Sequence, residues 1–248
     1  MDQTIICLAG RKRTGKESVF KLLYPYVADP QEFQFATPLK KFCMEVLGLT
    51  HGQCYGTDFE RESPTKYRWG DVAAHIREKY RKNPIDIMTA RDVLQVVGTD
   101  LIRESFYMNT WAEAGVRNAV GKAATCIYTD TRFLNEIDAI CKLSQENNFQ
   151  KPLICRLYRQ TGLVDMHSSE FALDSKDLRS NQRSIEVTDT SSLKTLGYKQ
   201  LLPNLWQGNR PDTFYDFLID NNSTLESLKN AVMLMIQIHG LYREVTLS

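Results

Sequence analysis

Gly10-Arg11-Lys12-Arg13-Thr14-Gly15-Lys16-Glu17-Ser18 packs two glycines, four cations and an acid into nine residues. The spacing G-x-x-x-x-G-K suits a loop that wraps phosphate. Successive backbone N–H groups point inward, and the positive end of a following helix adds to the field. Gly10 and Gly15 permit the tight turn and close backbone approach. Lys16 can reach β- and γ-phosphate oxygens, where negative charge must be held during transfer. Arg13 adds a charge beside the transferring group, and Thr14 and Gly15 complete the wrap. The residue after the lysine is usually a hydroxyl that binds magnesium, but here it is Glu17. A carboxylate there either holds Mg²⁺ through water or is a first-turn acid favoured by the helix dipole. Ser18 supplies a hydroxyl one residue later, for an α- or β-phosphate.

Three further groups of residues could serve such a loop. Arg91 and Gln95 are four apart and share a helix face with Gly98, followed by Thr99, Asp100 and Arg103. An arginine and an amide on one face can grip a phosphate and a base edge, although a solvated face opposite the Val93–Leu94–Val97 stripe would look the same. Thr129 to Glu136, TDTRFLNE, places Asp130 and Arg132 just beyond a buried run, where open α/β sheets bind ligands. Arg132 and Glu136 are also spaced for a plain helix salt bridge. Arg156, Arg159, Arg179 and Arg183 bracket His167-Ser168-Ser169-Glu170 and could close over phosphates as a lid; a solvated basic loop is the alternative. His51, His75 and His239 stand alone.

These residues need strands and helices to position them. Thr4–Ala9, TIICLA, reads as a strand buried on both faces. The glycine turn and then a helix follow, stopped by Pro25. Residues 37–49 read as a helix, 50–66 as a polar loop and 67–81 as a helical stretch. Residues 89–106 read as two helices broken at Gly98, a C-cap. ATCIYTD (124–130), PLICRLY (152–158) and FYDFLID (214–220) read as strands, and 133–146 as a helix. Asn221 to Ser223 would cap a final helix ending near Gly240. Strands alternating with helices predict an α/β fold with a mostly parallel sheet covered on both faces.

Bulk properties narrow the function. The chain has 248 residues, 42% hydrophobic and 25% charged, enough for one large α/β domain. A net charge of +1 gives no global field for nucleic acid or acidic membranes. No apolar run approaches the ~20 residues that span a bilayer. The six cysteines lack C-x-x-C spacing and read as small core residues in a reducing, cytoplasmic setting.

Taken together, the stretches resemble the bacteriophage deoxynucleoside monophosphate kinase family. GRKRTGKES is similar to that family's loop, so Glu17 followed by Ser18 is the family's own pattern. ATPLK (36–40) resembles its A-x-P-x-K segment. RDVLQVVGTDLIRESFYMNTW (91–111) resembles its R-x-L-x-Q-x-x-G-T-D-L segment ending in tryptophan. DTRFLNEIDA (130–139), HSSEFAL (167–173) and FLIDNNSTLESL (217–228) resemble later segments in the same order. The resemblance covers about half the chain. Residues 50–87 match poorly, and 176–212 look like an insertion.

The resemblance implies a phosphate-loop kinase fold forming one domain over residues 1–248. Within it, about 36–110 would be a substrate-binding helical region and about 159–212 a lid plus insertion. It implies transfer of the γ-phosphoryl of ATP, with Mg²⁺, to a deoxynucleoside 5′-monophosphate, and a homodimer. Arg13, Thr14, Gly15, Lys16, Glu17 and Ser18 would hold ATP. Lys12, Lys40, Arg91, Gln95, Gly98, Thr99, Trp111, Arg132 and Glu136 would contact the monophosphate. Trp111 would stack on a base or else be a buried core residue. Asp130, with Ser18, would serve the metal. Lys16, Arg13, Asp130 and Arg132 would carry catalysis. Phosphomevalonate kinases share the K-R-x-x-G-K-[DE] loop but not the R-x-x-x-Q-x-x-G-T-D segment. An ATPase without a small acceptor would show Asp-Glu after the apolar run, where this chain has Asp130-Thr131-Arg132. A degenerate binding protein is disfavoured by the intact Gly15–Lys16 pair.

Overall fold

The structure, a computed structural model, describes residues 3–147, 149–159 and 215–241. The expected lid and insertion lie outside these residues, apart from Arg159. The described elements begin with β1 (Thr4–Ala9), α1 (Lys16–Leu23), β2 (Pro30–Phe33) and α2 (Ala36–Glu45). Next come α3 (His51–Tyr55), α4 (Asp58–Arg61), β3 (Pro64–Arg68), α5 (Ala74–Lys79), β4 (Ile87–Thr89) and α6 (Ala90–Gln95). A π-helical stretch, Val96–Glu104, and α7 (Thr110–Arg117) follow. The chain then forms β5 (Thr125–Thr131), α8 (Leu134–Glu146), β6 (Leu153–Tyr158), β7 (Phe217–Asp220) and α9 (Leu225–His239). It divides into two compact units. One is Phe35–Arg117; the other takes the described residues up to Gln34 and from Asn118 onward.

The unit carrying the N-terminus is built on a five-stranded sheet, ordered β2-β5-β1-β6-β7, with every pair parallel. Its central strands are short, apolar and buried on both faces, as parallel strands between helices must be. On one face Ile6, Leu8, Ile127 and Leu157 pack with Val19 and Leu23 of α1 and with Val232 and Met235 of α9. On the other face Cys7 lies near Glu136 and Cys141 of α8, whose Ile137 and Ile140 are buried. The α/β class expected from alternating strands and helices therefore holds, with helices on both faces. β2 was not foreseen. It is a four-residue edge strand that starts at a proline and exposes Gln31 and Glu32, so it carries no apolar alternation.

Cys7, Cys43, Cys54, Cys126 and Cys155 are buried, and none of the six cysteines forms a disulfide. Burial pushes the Cys43 and Cys126 thiols up to about 12, so they pack as inert apolar groups. No described helix is long and apolar enough to cross a membrane.

His239 ends α9 with its ring 6.1 Å from that of Phe217. Its Nε2 is buried and has no hydrogen-bond partner among the described residues. Burial holds the imidazole below its ordinary 6.5, against the opposing pull of Asp216. The folded chain therefore prefers neutral His239, and on acidification the unfolded chain takes the proton first. This contribution is complete above pH about 6.5 and is lost as pH falls from there through the folded pKa. The melting temperature is expected to drop as pH falls below about 6.5, and His239→Leu to shrink the drop. Melting curves across that range check this; an unchanged acid sensitivity in the variant would contradict it.

The Phe35–Arg117 unit corrects the sequence reading in three places. Residues 50–66 are not a loop: they hold α3, α4 and the start of β3. Thr50 and Thr57 each cap a helix reciprocally with the third residue on, Gln53 and Glu60. The stretch 67–81 is helical only at Ala74–Lys79 and a short turn at Trp69–Asp71; before them β3 pairs antiparallel with β4. Residues 89–106 do not break at Gly98. Thr89 caps α6 through a box with Asp92, and the helix continues past Gln95 in the wider π form. A Cβ on Gly98 would sit 2.6 Å from Leu39 Cδ2, so the glycine makes room for α2 instead of ending a helix. Trp69, Cys54, Met88 and Val93 lie in the core of this unit.

Candidate active site

The loop after β1 lies at the carboxyl end of the sheet. β1 is flanked by β5 on one side and β6 on the other, so the chain's direction of winding reverses here. Such a switch point opens a crevice for ligands. The register sets Ala9 opposite Thr131 of β5 and Arg156 of β6. Gly10 and Arg132 thus leave adjacent strands side by side.

Within the loop, Lys16 is only 9% exposed. Its ammonium donates to the Gly10 carbonyl at 2.6 Å and the Arg11 carbonyl at 2.7 Å. The lysine is folded back over the loop it would serve. The Thr14 hydroxyl donates to the Arg11 carbonyl at 2.9 Å. Gly15 has φ 98°, a left-handed geometry that disfavours any side chain. Arg13 also has positive φ, 63°, a strained conformation of the kind that clusters in functional loops. Gly15 begins α1 without a side-chain cap, so the helix keeps its first N–H groups for another acceptor. Arg13, Glu17 and Ser18 are exposed and Lys12 is half-buried. Glu17 pairs with Lys21 at 2.8 Å on the surface of α1.

At the end of β5, Asp130 and Arg132 are half-buried. Glu136 is only 2% exposed. Its carboxylate accepts from the backbone N–H of Arg132 at 2.8 Å and of Phe133 at 3.0 Å, so it fixes the turn into α8. Thr131 is fully buried, and among the described residues its hydroxyl has no partner. The Thr129 hydroxyl donates to Glu32 of β2. Arg156, expected in a lid, is instead a buried residue of β6 with its guanidinium 5.9 Å from the Tyr215 ring.

The other expected residues belong to the Phe35–Arg117 unit. Arg91 is held by Asp58 at 2.9 Å and Glu62 at 2.5 Å. Gln95 hydrogen-bonds the Tyr80 hydroxyl, which in turn donates to Asp100 at 2.8 Å. Asp100, 2% exposed, also receives Lys79 at 2.7 Å, and that bond raises the Lys79 pKa. Thr99 is half-buried. Lys40 lies 4.3 Å from the centre of the Tyr55 ring, a cation–π contact. Trp111 is 7% exposed, and its indole N–H donates to the Gly98 carbonyl at 2.9 Å. It occupies the buried position weighed as the alternative to base stacking.

Asn221 was read only as part of a helix cap. Its side-chain amide instead donates to the Thr14 carbonyl at 2.9 Å, and the cap of α9 is Thr224. No local pattern signals a contact across 207 residues.

Ser18 and Asp130 offer one hydroxyl and one carboxylate. Mg²⁺ commonly takes one or two carboxylates and leaves its other positions to water and phosphate oxygens. The donor set fits that ion. Among the described residues, no group of three or more His, Cys, Asp or Glu could hold a metal on its own.

No family model matches the chain. A protein of Acanthamoeba polyphaga mimivirus, named "Putative deoxynucleotide monophosphate kinase", is 30% identical over 155 residues, 56% of this chain and 69% of that protein. The chain belongs to this kinase family. The relative is mimiviral, so the family is not confined to the bacteriophage proteins the sequence resembles. Among solved structures, a sugar kinase from Janibacter sp. HTCC2649 aligns over 96% of this chain and 95% of its own, with 10% identity and a TM-score of 0.36. A second, titled a putative kinase, from Chloroflexus aurantiacus, aligns over 96% and 98% with 11% identity and a TM-score of 0.34. Likenesses this weak carry no argument; the α/β assignment rests on the sheet itself.

Proposed function

We propose that this kinase transfers the γ-phosphoryl group of ATP to a deoxynucleoside 5′-monophosphate, giving the diphosphate for DNA synthesis. The observation that carries the reading is the loop between β1 and α1. A buried lysine, a left-handed glycine and an uncapped helix start meet at the carboxyl end of a parallel sheet. The name of the mimivirus relative supports the acceptor class.

In this reading Arg13, Thr14, Gly15, Lys16 and Ser18 hold ATP, with Glu17 at the loop's outer edge. Lys16 exchanges its loop carbonyls for phosphate oxygens as charge shifts toward the leaving group. Lys12 and Arg132 hold the acceptor phosphate. Arg91 adds its guanidinium fork to the acceptor phosphate and Gln95, Thr99 and Lys40 read the rest of the monophosphate, while Gly98, Trp111 and Glu136 shape the elements that carry those residues. Asp130 and Ser18 would hold Mg²⁺, which when bound neutralises phosphate charge. The acceptor is already anionic near pH 7, so positioning and charge neutralisation suffice without a strong base.

The test is ADP release from ATP and Mg²⁺ with each deoxynucleoside monophosphate in turn, alongside phosphomevalonate and a blank. Turnover that depends on one or a few deoxynucleotides supports the proposal. Release that ignores the acceptor, or that needs phosphomevalonate, overturns it.

A further inference from the structure

We infer that Asn221 is a positioning residue for the phosphate loop, fixing the peptide between Thr14 and Gly15 so that its N–H is presented to ATP. This rests on the nucleotide reading above.

Asn221 directly follows β7 and is 7% exposed. Its backbone N–H donates to the Tyr158 carbonyl at the end of β6, 2.8 Å away. The residue is therefore anchored to the sheet before its side chain does anything. The amide then donates to the Thr14 carbonyl at 2.9 Å. A peptide is planar and trans, so holding its C=O on one side turns its N–H to the other. Among the described residues no acceptor takes the Gly15 N–H.

The contact also restricts the loop's sequence. A Cβ on Gly15 would stand 2.3 Å from Asn221 Nδ2. Any other residue at position 15 would push the amide off the Thr14 carbonyl, a cost added to that of the left-handed φ. Asn221 thus couples the β7–α9 corner to the loop. An aspartate of equal size could not replace it, because a carboxylate has no proton to donate to the Thr14 carbonyl.

The experiment measures ATP affinity and both Michaelis constants in Asn221→Ala and Asn221→Asp, with melting curves for each. The alanine variant is expected to weaken ATP binding about tenfold, the scale of one buried hydrogen bond. The isosteric aspartate variant should weaken it further, since it adds a negative charge near the phosphates. KM for the monophosphate should stay within about twofold in both, a split that general loss of stability would not produce. Should the alanine variant fail to fold, the aspartate variant, with its packing volume retained, decides. Variants that melt earlier but bind ATP as wild type does overturn the inference alone. Wild-type protein that binds no ATP overturns the nucleotide reading and the inference with it.

Discussion

Lys16→Ala is expected to lower phosphoryl transfer on the order of 10²–10³-fold or more, because a preorganised charge on the transferring group is lost. Lys16 is already buried against the carbonyls of Gly10 and Arg11, so little side-chain freedom remains to be lost when ATP arrives. The same two bonds, from a charged donor, are worth about 1.5–3 kcal/mol each, offset by the cost of holding a nearly buried ammonium out of water. The β1, β5 and β6 pairings and the packing of Val19 and Leu23 do not involve the lysine side chain. The variant should therefore melt within a few degrees of wild type, which circular dichroism checks alongside turnover. Retained turnover in a folded Lys16→Ala protein would remove the phosphate-loop argument.

Arg91→Ala is expected to raise KM for the monophosphate about 10–100-fold and leave KM for ATP within about twofold. Arg91 is gripped by Asp58 and Glu62, which hold the planar guanidinium in one orientation while leaving it half-exposed. A pre-positioned fork can take a phosphate in two parallel hydrogen bonds, which lysine cannot copy, so Arg91→Lys should recover little. Initial-rate kinetics with each substrate varied in turn separate the two constants. Weakened ATP binding with an unchanged acceptor constant would reverse the assignment of Arg91.

The parts of this molecule that were legible in the sequence are those whose cause is local. TIICLA forms its strand because a run of apolar, partly β-branched residues suits the middle of a parallel sheet. The loop follows because two glycines and a lysine stand at fixed offsets. Thr125–Thr131, Leu134–Glu146 and Leu153–Tyr158 were expected within a residue or so of where they lie. The helices at 51–61 were missed although their signal was present. Thr50-x-x-Gln53 and Thr57-x-x-Glu60 are capping boxes, hidden in a polar stretch whose two glycines and one proline suggest a loop. The π-helix at Val96–Glu104 was not legible. Gly98 looks like a terminator until Leu39 is known to pack against it, and that contact spans the unit's core. Asn221 was invisible for the same reason at greater range, since only the fold brings it to Thr14.

The central claim is that phosphoryl leaves ATP for a deoxynucleotide. The most direct measurement follows ATP labelled on its γ-phosphorus, mixed with Mg²⁺ and the deoxynucleoside monophosphates, with products separated by chromatography. The account predicts label in a deoxynucleoside diphosphate, absent when Lys16→Ala replaces the wild-type chain. Label found only in inorganic phosphate, at the same rate with or without the monophosphates, would contradict it.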